Sequence, residues 1–259
     1  MTSIREHTKR AAGPFAIVAA LSLSVVGPAA AQFRPPPQPP QSGRDSAPID
    51  LTGQWVSIVT EDWRFRMVVP PKGDFPGLPL NGAARTVADA WDPGKDEAEG
   101  NACKSYGAAA IMRVPGRIRI SWADENTLKI ETDAGRQTRL LRFGDTSPAP
   151  GAPTWQGASK AEWILHGGGR RGPVVNGSLK VVTTGMKAGY LRKNGVPYSA
   201  DAKVTEYYDL LHEPNGSDWL VVKTIVEDPV YLTDEFITSS NFRRETDRSG
   251  WNPQPCAVD

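Results

Sequence analysis

Beyond residue 48, apolar and polar residues alternate with period two over most of the chain, and the runs break at clusters of Gly, Asn, Asp or Pro. In Arg117–Trp122 the side chains of Ile118, Ile120 and Trp122 fall on one face, and those of Arg117 and Arg119 on the other. A half-buried strand requires that pattern, because successive side chains of extended chain point to opposite sides. A turn at Asp124–Asn126 then leads to Thr127–Glu131, and a turn at Asp133–Gly135 to Arg136–Phe143, which predicts a three-stranded meander. Leu51–Val59 and Trp63–Val69 read as two earlier strands. Lys160–Leu165 and Ser178–Thr184 follow, with Asn176-Gly177 between them as a hairpin signal. Lys203–Leu211, Asp218–Val226 and Glu235–Arg243 complete the set, the first two joined through Asn215-Gly216. Only Gly82–Ala90, with Asn81 as its cap, carries the marks of a helix. About ten short strands joined by tight turns predict an all-β fold, a single antiparallel barrel or a strongly curved sheet.

The first residues follow a different pattern. Arg5, Lys9 and Arg10 precede an apolar run from Phe15 to Val26, and Ala29-Ala30-Ala31 ends it. These are the three parts of a secretory signal peptide, and cleavage after Ala31 is expected, with Gln32 as the new first residue. The run falls short of the about 20 apolar residues a spanning helix needs, so a retained anchor is the lesser reading. Residues 32–48 are dense in proline, which disfavours ladder and core alike, and they read as a disordered linker. Residues 49–259 then form one domain.

Export changes the charge balance. Removing Arg5, Lys9, Arg10 and Glu6 leaves 27 basic against 28 acidic residues, a net of −1 with both signs interspersed. That argues against a nucleic-acid footprint and against an electrostatic hold on a membrane. The two cysteines, Cys103 and Cys256, are expected to pair in an oxidising compartment.

Several motifs match on paper and fail in context. Gly167–Gly172 fits Gly-x-Gly-x-x-Gly, yet Pro173 and Asn176-Gly177 follow where a phosphate-binding helix would have to begin. His166-Gly-Gly-Gly169 resembles an oxyanion run, but no Gly-x-Ser-x-Gly elbow exists in the chain. After export only His166 and His212 remain, isolated from each other, so no metal site is expected. The acidic run Asp92–Glu99 lacks calcium-loop spacing and reads as a solvated loop. No cofactor is implied.

One resemblance concerns the domain as a whole. Leu51-Thr-Gly53-Gln-Trp55 resembles the Gly-x-Trp opening of lipocalin-type barrels, in which the Trp closes one end of the pocket. Glu61-Asp-Trp-Arg-Phe-Arg66, Cys103-Lys-Ser-Tyr-Gly107, Leu191-Arg-Lys-Asn-Gly-Val-Pro197, Ile225-Val-Glu-Asp-Pro229 and the ending Trp251-Asn-Pro253 to Cys256 extend the likeness. In that order they resemble a group of secreted or periplasmic bacterial proteins of lipocalin-like β architecture. The resemblance implies a barrel and an envelope or extracellular location, and it carries over no catalytic residue.

Polar residues on apolar strand faces are the candidates for a site, since an unpaired buried charge is costly. In Val204–Leu210 the even positions read Val, Glu, Tyr and Leu, which turns Glu206 and Tyr208 inward. Asp62 and Arg64 lie beside aromatic residues, Glu162 neighbours Trp163, and Arg66 and Arg113 flank apolar positions. Tyr106 and Tyr198 fall in Gly- or Pro-containing loops where a rim would be. Taken singly, each is equally what an outer ion pair or a core aromatic looks like. Together they suit an interior pocket for a small apolar or aromatic molecule. The alternative is a cofactor-free isomerase, lyase or hydrolase in the same pocket, working by carboxylate, Tyr and Arg acid–base chemistry.

Overall fold

The structure is a computed structural model and describes residues 41–144, 152–167 and 174–258. The signal-peptide segment 1–31, the first part of the linker and Gly168–Gly172 of the glycine run lie outside the described residues.

Strand β1 (Gly53–Ile58) opens a barrel and is followed by a long excursion. The excursion contains helices α1 (Trp63–Met67), α2 (Gly82–Asp89) and α3 (Pro93–Ala98), and 3-10 turns at Ala102–Tyr106 and Ile111–Arg113. The meander β2 (Arg117–Asp124), β3 (Thr127–Thr132) and β4 (Thr138–Phe143) comes next, then β5 (Ala158–Gly167) and β6 (Val174–Thr184). A small hairpin, β7 (Gly189–Arg192) and β8 (Val196–Tyr198), precedes β9 (Lys203–His212), β10 (Asp218–Glu227) and β11 (Phe236–Glu245). Nine strands close on themselves in the order β1-β11-β10-β9-β6-β5-β4-β3-β2, while β7 and β8 form a sheet of their own.

The neighbours in the ring are antiparallel except β4 and β5, which run parallel with Leu141 opposite Ser159. This departs from the antiparallel expectation for a topological reason. A closed ring with an odd number of strands cannot alternate direction all the way round, so at least one parallel pair is required. Closure removes the exposed edges that an open sheet would present.

Alternation decides what fills the barrel. Val204, Glu206, Tyr208 and Leu210 of β9 are all buried, and so are Leu220, Val222, Thr224 and Val226 of β10. Trp55, Leu128, Ile130, Leu141, Leu179, Val181 and Phe242 join Tyr208, Leu210, Leu220 and Val222 in one core. A ring of about eight strands is just wide enough for side chains to fill its centre, and the inward-facing side chains here do so. Trp55 is fully buried, donates its indole N–H to the Leu51 carbonyl at 3.0 Å, and is covered by the Arg244 guanidinium 4.1 Å from its ring.

The β1–β2 excursion and the β6–β9 connection cover one end of the barrel as a lid. A second core fills the join: Phe75, Leu80, Ala84, Ala88, Leu191, Val196 and Tyr198 pack with Val204, Val226 and Phe236 from the strand ends. Helix α2 begins as expected, with the Asn81 side chain accepting from the Ala84 amide at 2.9 Å. The disulfide Cys103–Cys256 ties the lid's first 3-10 turn to the C-terminal tail across 153 residues.

Four local readings need correction. Trp63–Met67 is helical rather than extended, turned by Asp62 in the left-handed region, whose carbonyl accepts from the Phe65 and Arg66 amides. Five residues are too few to hold a helix alone, so tertiary contacts of Arg66 sustain it. Residues 93–98 of the acidic run form a helix, because Asp92 caps the Gly94 and Lys95 amides and Pro93 suits the first helical position. Its Asp96 is buried and accepts from the Tyr190 hydroxyl at 2.7 Å. Asn176-Gly177 lies inside β6, opposite His166 and Leu165, and is not a turn. Gly177 is required there by close approach, since a Cβ would meet Pro48 at 2.4 Å. The last part of the linker docks on the barrel: Gly43 accepts from the Trp163 indole at 2.7 Å and donates to Asn126 Oδ1 at 2.7 Å.

Candidate functional site

The lid contains a small cleft of ≈ 50 Å³, between α1, the two 3-10 turns and β7. Its walls are Phe65, Val68, Val69, Val114, Pro115 and Leu191, with Arg66, Arg113, Arg192 and Lys193 among them. Three segments far apart in sequence meet here because Arg66, Arg113 and Arg192 pin them. Arg66 Nε donates to the Arg113 carbonyl at 2.8 Å and its Nη1 pairs with Glu61. Arg113 Nη2 reaches Asp62 at 3.1 Å, and its guanidinium sits 5.5 Å from the Phe236 ring centre. Arg192 Nη1 donates to the Pro76 carbonyl at 3.1 Å and stacks over Phe65 at 4.3 Å.

Arg66, Arg113 and Arg192 are 8 %, 6 % and 5 % exposed as residues, so their charge is held out of water. Each keeps one buried nitrogen, Arg66 Nη2, Arg113 Nη1 and Arg192 Nε, without a hydrogen-bond partner among the described residues. Burial, reinforced by Arg113, lowers the Arg192 pKa to about 10 against the pull of Asp62 and Asp74. Burial also lowers that of Arg66, with Glu61 and Asp62 opposing and Arg113 adding to the effect. The contacting carboxylates are Glu61 and Asp62, so three buried cations face two anions. Such a cluster is held at a free-energy cost.

A second polar group lies inside the barrel. Arg139 on β4 forks onto Glu206 on β9, with Nη1–Oε1 at 2.9 Å and Nη2–Oε2 at 2.6 Å. Nη1 also meets the Tyr208 hydroxyl at 3.3 Å, and Nη2 the Thr183 hydroxyl at 3.4 Å. Both charged side chains are fully buried. Burial is the largest single influence and would lower the Arg139 pKa, but Glu206 and Tyr208 together outweigh it and raise the value. Burial first, then Glu206, pushes the Tyr208 phenol up.

The sequence candidates are thus divided between several places. Glu206 and Tyr208 face inward as the alternation requires, and they meet each other through Arg139. Asp62 stands at the lid cleft as the partner of Arg113, while Arg64 turns outward to Asp74 at 2.7 Å and is largely exposed. Glu162 is on the outer face of β5, paired with Lys180 at 2.8 Å. Tyr106 and Tyr198 are not rim residues, being 4 % and 0 % exposed. The Tyr106 hydroxyl accepts from the Ala257 amide at 3.3 Å, and burial raises the Tyr198 pKa. Arg192 was given no role by the sequence; it stands in Leu191–Pro197, where no periodicity marks it as buried.

Among the described residues, no three His, Cys, Asp or Glu side chains come together as metal ligands. No helix among them is long and apolar enough to cross a membrane. Comparison with protein-family models, curated proteins and solved structures found no match to this chain.

Proposed function

We propose that the chain is an exported binding protein that holds a small, mainly apolar or aromatic molecule without transforming it. The observation that carries this reading is the lid cleft. Apolar side chains from three remote segments converge there around the stacked ring of Phe65, with a few polar groups among them. Small-molecule sites have that composition, and at ≈ 50 Å³ the cleft is sized for one end of a molecule whose remainder lies over the mouth. The axis of the barrel is occupied by side chains, so the reading moves the pocket from the interior to the lid.

The acid–base alternative has less support. Glu206 would be its base, but both carboxylate oxygens are held by Arg139 in a layer closed to solvent. Export agrees with the disulfide, and with residues 1–31 acting as a cleaved signal.

Native mass spectrometry of protein prepared from the envelope fraction tests the reading. The expected result is a chain beginning at Gln32 that carries a small organic adduct, lost in Leu191→Trp, which fills the cleft. Bare protein that also fails to bind the neutral probe 1-octanol would overturn it.

A further inference from the structure

The unused donors of the lid cleft narrow the kind of molecule it takes. Arg66, Arg113 and Arg192 come from α1, the second 3-10 turn and β7, and no single structural contact calls for all three. A buried orphan N–H costs about 1–3 kcal/mol; Arg139 in the barrel carries one, at Nε, whereas the lid gathers three around one cleft. Here one N–H nitrogen of each remains without a partner among the described residues. Two carboxylates, Glu61 and Asp62, contact the three buried guanidinium groups, and Asp74 is taken by Arg64.

We propose that this cleft binds a carboxylate-bearing amphiphile. A monoanionic head group takes up the free donors of Arg66, Arg113 and Arg192, and an apolar tail extends outward over Phe65 and Val68 at the mouth. The proposal rests on the binding reading above and specifies its ligand. A carboxylate offers two acceptor oxygens in one plane, which suits guanidinium forks. The donor nitrogens are covered in this structure, so the head group enters by side-chain rotation at the mouth. That mouth is open to solvent: Val68 is 61 % exposed, and Phe65, Val69 and Lys193 are partly exposed.

Calorimetric titration of the mature, disulfide-bonded protein tests this with four matched probes: octanoate, 1-octanol, octylamine and octyl phosphate. Octanoate is expected to bind at least about tenfold tighter than each of the others, the value of one charge-assisted hydrogen bond. Arg192→Gln should remove about tenfold of the preference for octanoate over 1-octanol, read as the ratio of the two affinities in the same variant. Arg192 also supports the Pro76 loop, so the wild-type comparison decides the matter if the variant folds poorly. Equal binding of octanoate and 1-octanol, or tighter binding of octylamine, overturns the anion assignment and leaves the cleft reading standing. Tighter binding of octyl phosphate overturns the carboxylate. If none of the four binds, the cleft reading fails and this inference fails with it.

Discussion

Replacing Glu206 by Gln removes a negative charge from the barrel interior while keeping the side chain's shape. In the wild-type protein both partners of the Arg139–Glu206 pair are sealed from water, and two short hydrogen bonds join them. The variant leaves the Arg139 guanidinium with the hydroxyls of Tyr208 and Thr183 and no counter-charge. Breaking a buried pair from one side costs about 3–5 kcal/mol. A domain of this size loses roughly 2–4 °C per kcal/mol, so the midpoint should fall by roughly 6–20 °C. Removing both charges, as in Arg139→Met with Glu206→Gln, should recover much of the loss, since a buried pair often contributes little net stability over apolar replacements. The assay is urea unfolding of four proteins in a double-mutant cycle, checked for a common slope, with octanoate titration alongside. A Glu206→Gln variant within about 1 kcal/mol of wild type would refute a structural pair, because no buried charge would then have been stranded.

Other expectations follow from separate contacts. Alkylation of unreduced, denatured protein should find no free thiol at Cys103 or Cys256. Reduction should destabilise the fold by up to about 5 kcal/mol in urea, the chain-entropy value for a loop of 153 residues. Gly43→Ala should cost about 1–3 kcal/mol, because its Cβ would fall 2.4 Å from the Phe143 ring; a neutral result would show that residues 42–48 do not dock. Although burial works against it, hydrogen bonds from His212 and Arg244 hold Asp218 below the ordinary carboxylate range. Its folded-state pKa is depressed, so its contribution is present above that range and lost as pH falls through the folded value. Asp218→Asn should therefore lower stability at neutral pH and converge with wild type in acid, as followed by urea midpoints across pH; a pH-independent difference would contradict the assignment.

The barrel was legible in the sequence because its strands bury one face. Ile118, Ile120 and Trp122 share a face in alternation and in the structure, and the even positions of β9 turn Glu206 inward as read. Arg139 was legible too in principle. It shares a face with Leu141 and Phe143, and its burial is the counterpart of Glu206's. Trp63–Met67 misled because alternation over five residues fits a turn of helix equally well, with Arg66 inward and Arg64 outward. Asp92-Pro93 carried a helix-start signal that acidity obscured. Asn176-Gly177 showed that a glycine can mark a close approach rather than a turn. The lid cleft had no periodic signature at all, because Arg66, Arg113 and Arg192 meet only through tertiary packing.

The central claim, that the lid cleft is the binding site, is tested most directly by NMR of the arginine side-chain Nε–H groups during titration with octanoate. The account predicts saturable shifts at Arg66, Arg113 and Arg192, with Arg139 in the barrel interior unmoved. Shifts at Arg139 without shifts at those three would place the ligand inside the barrel and contradict the account.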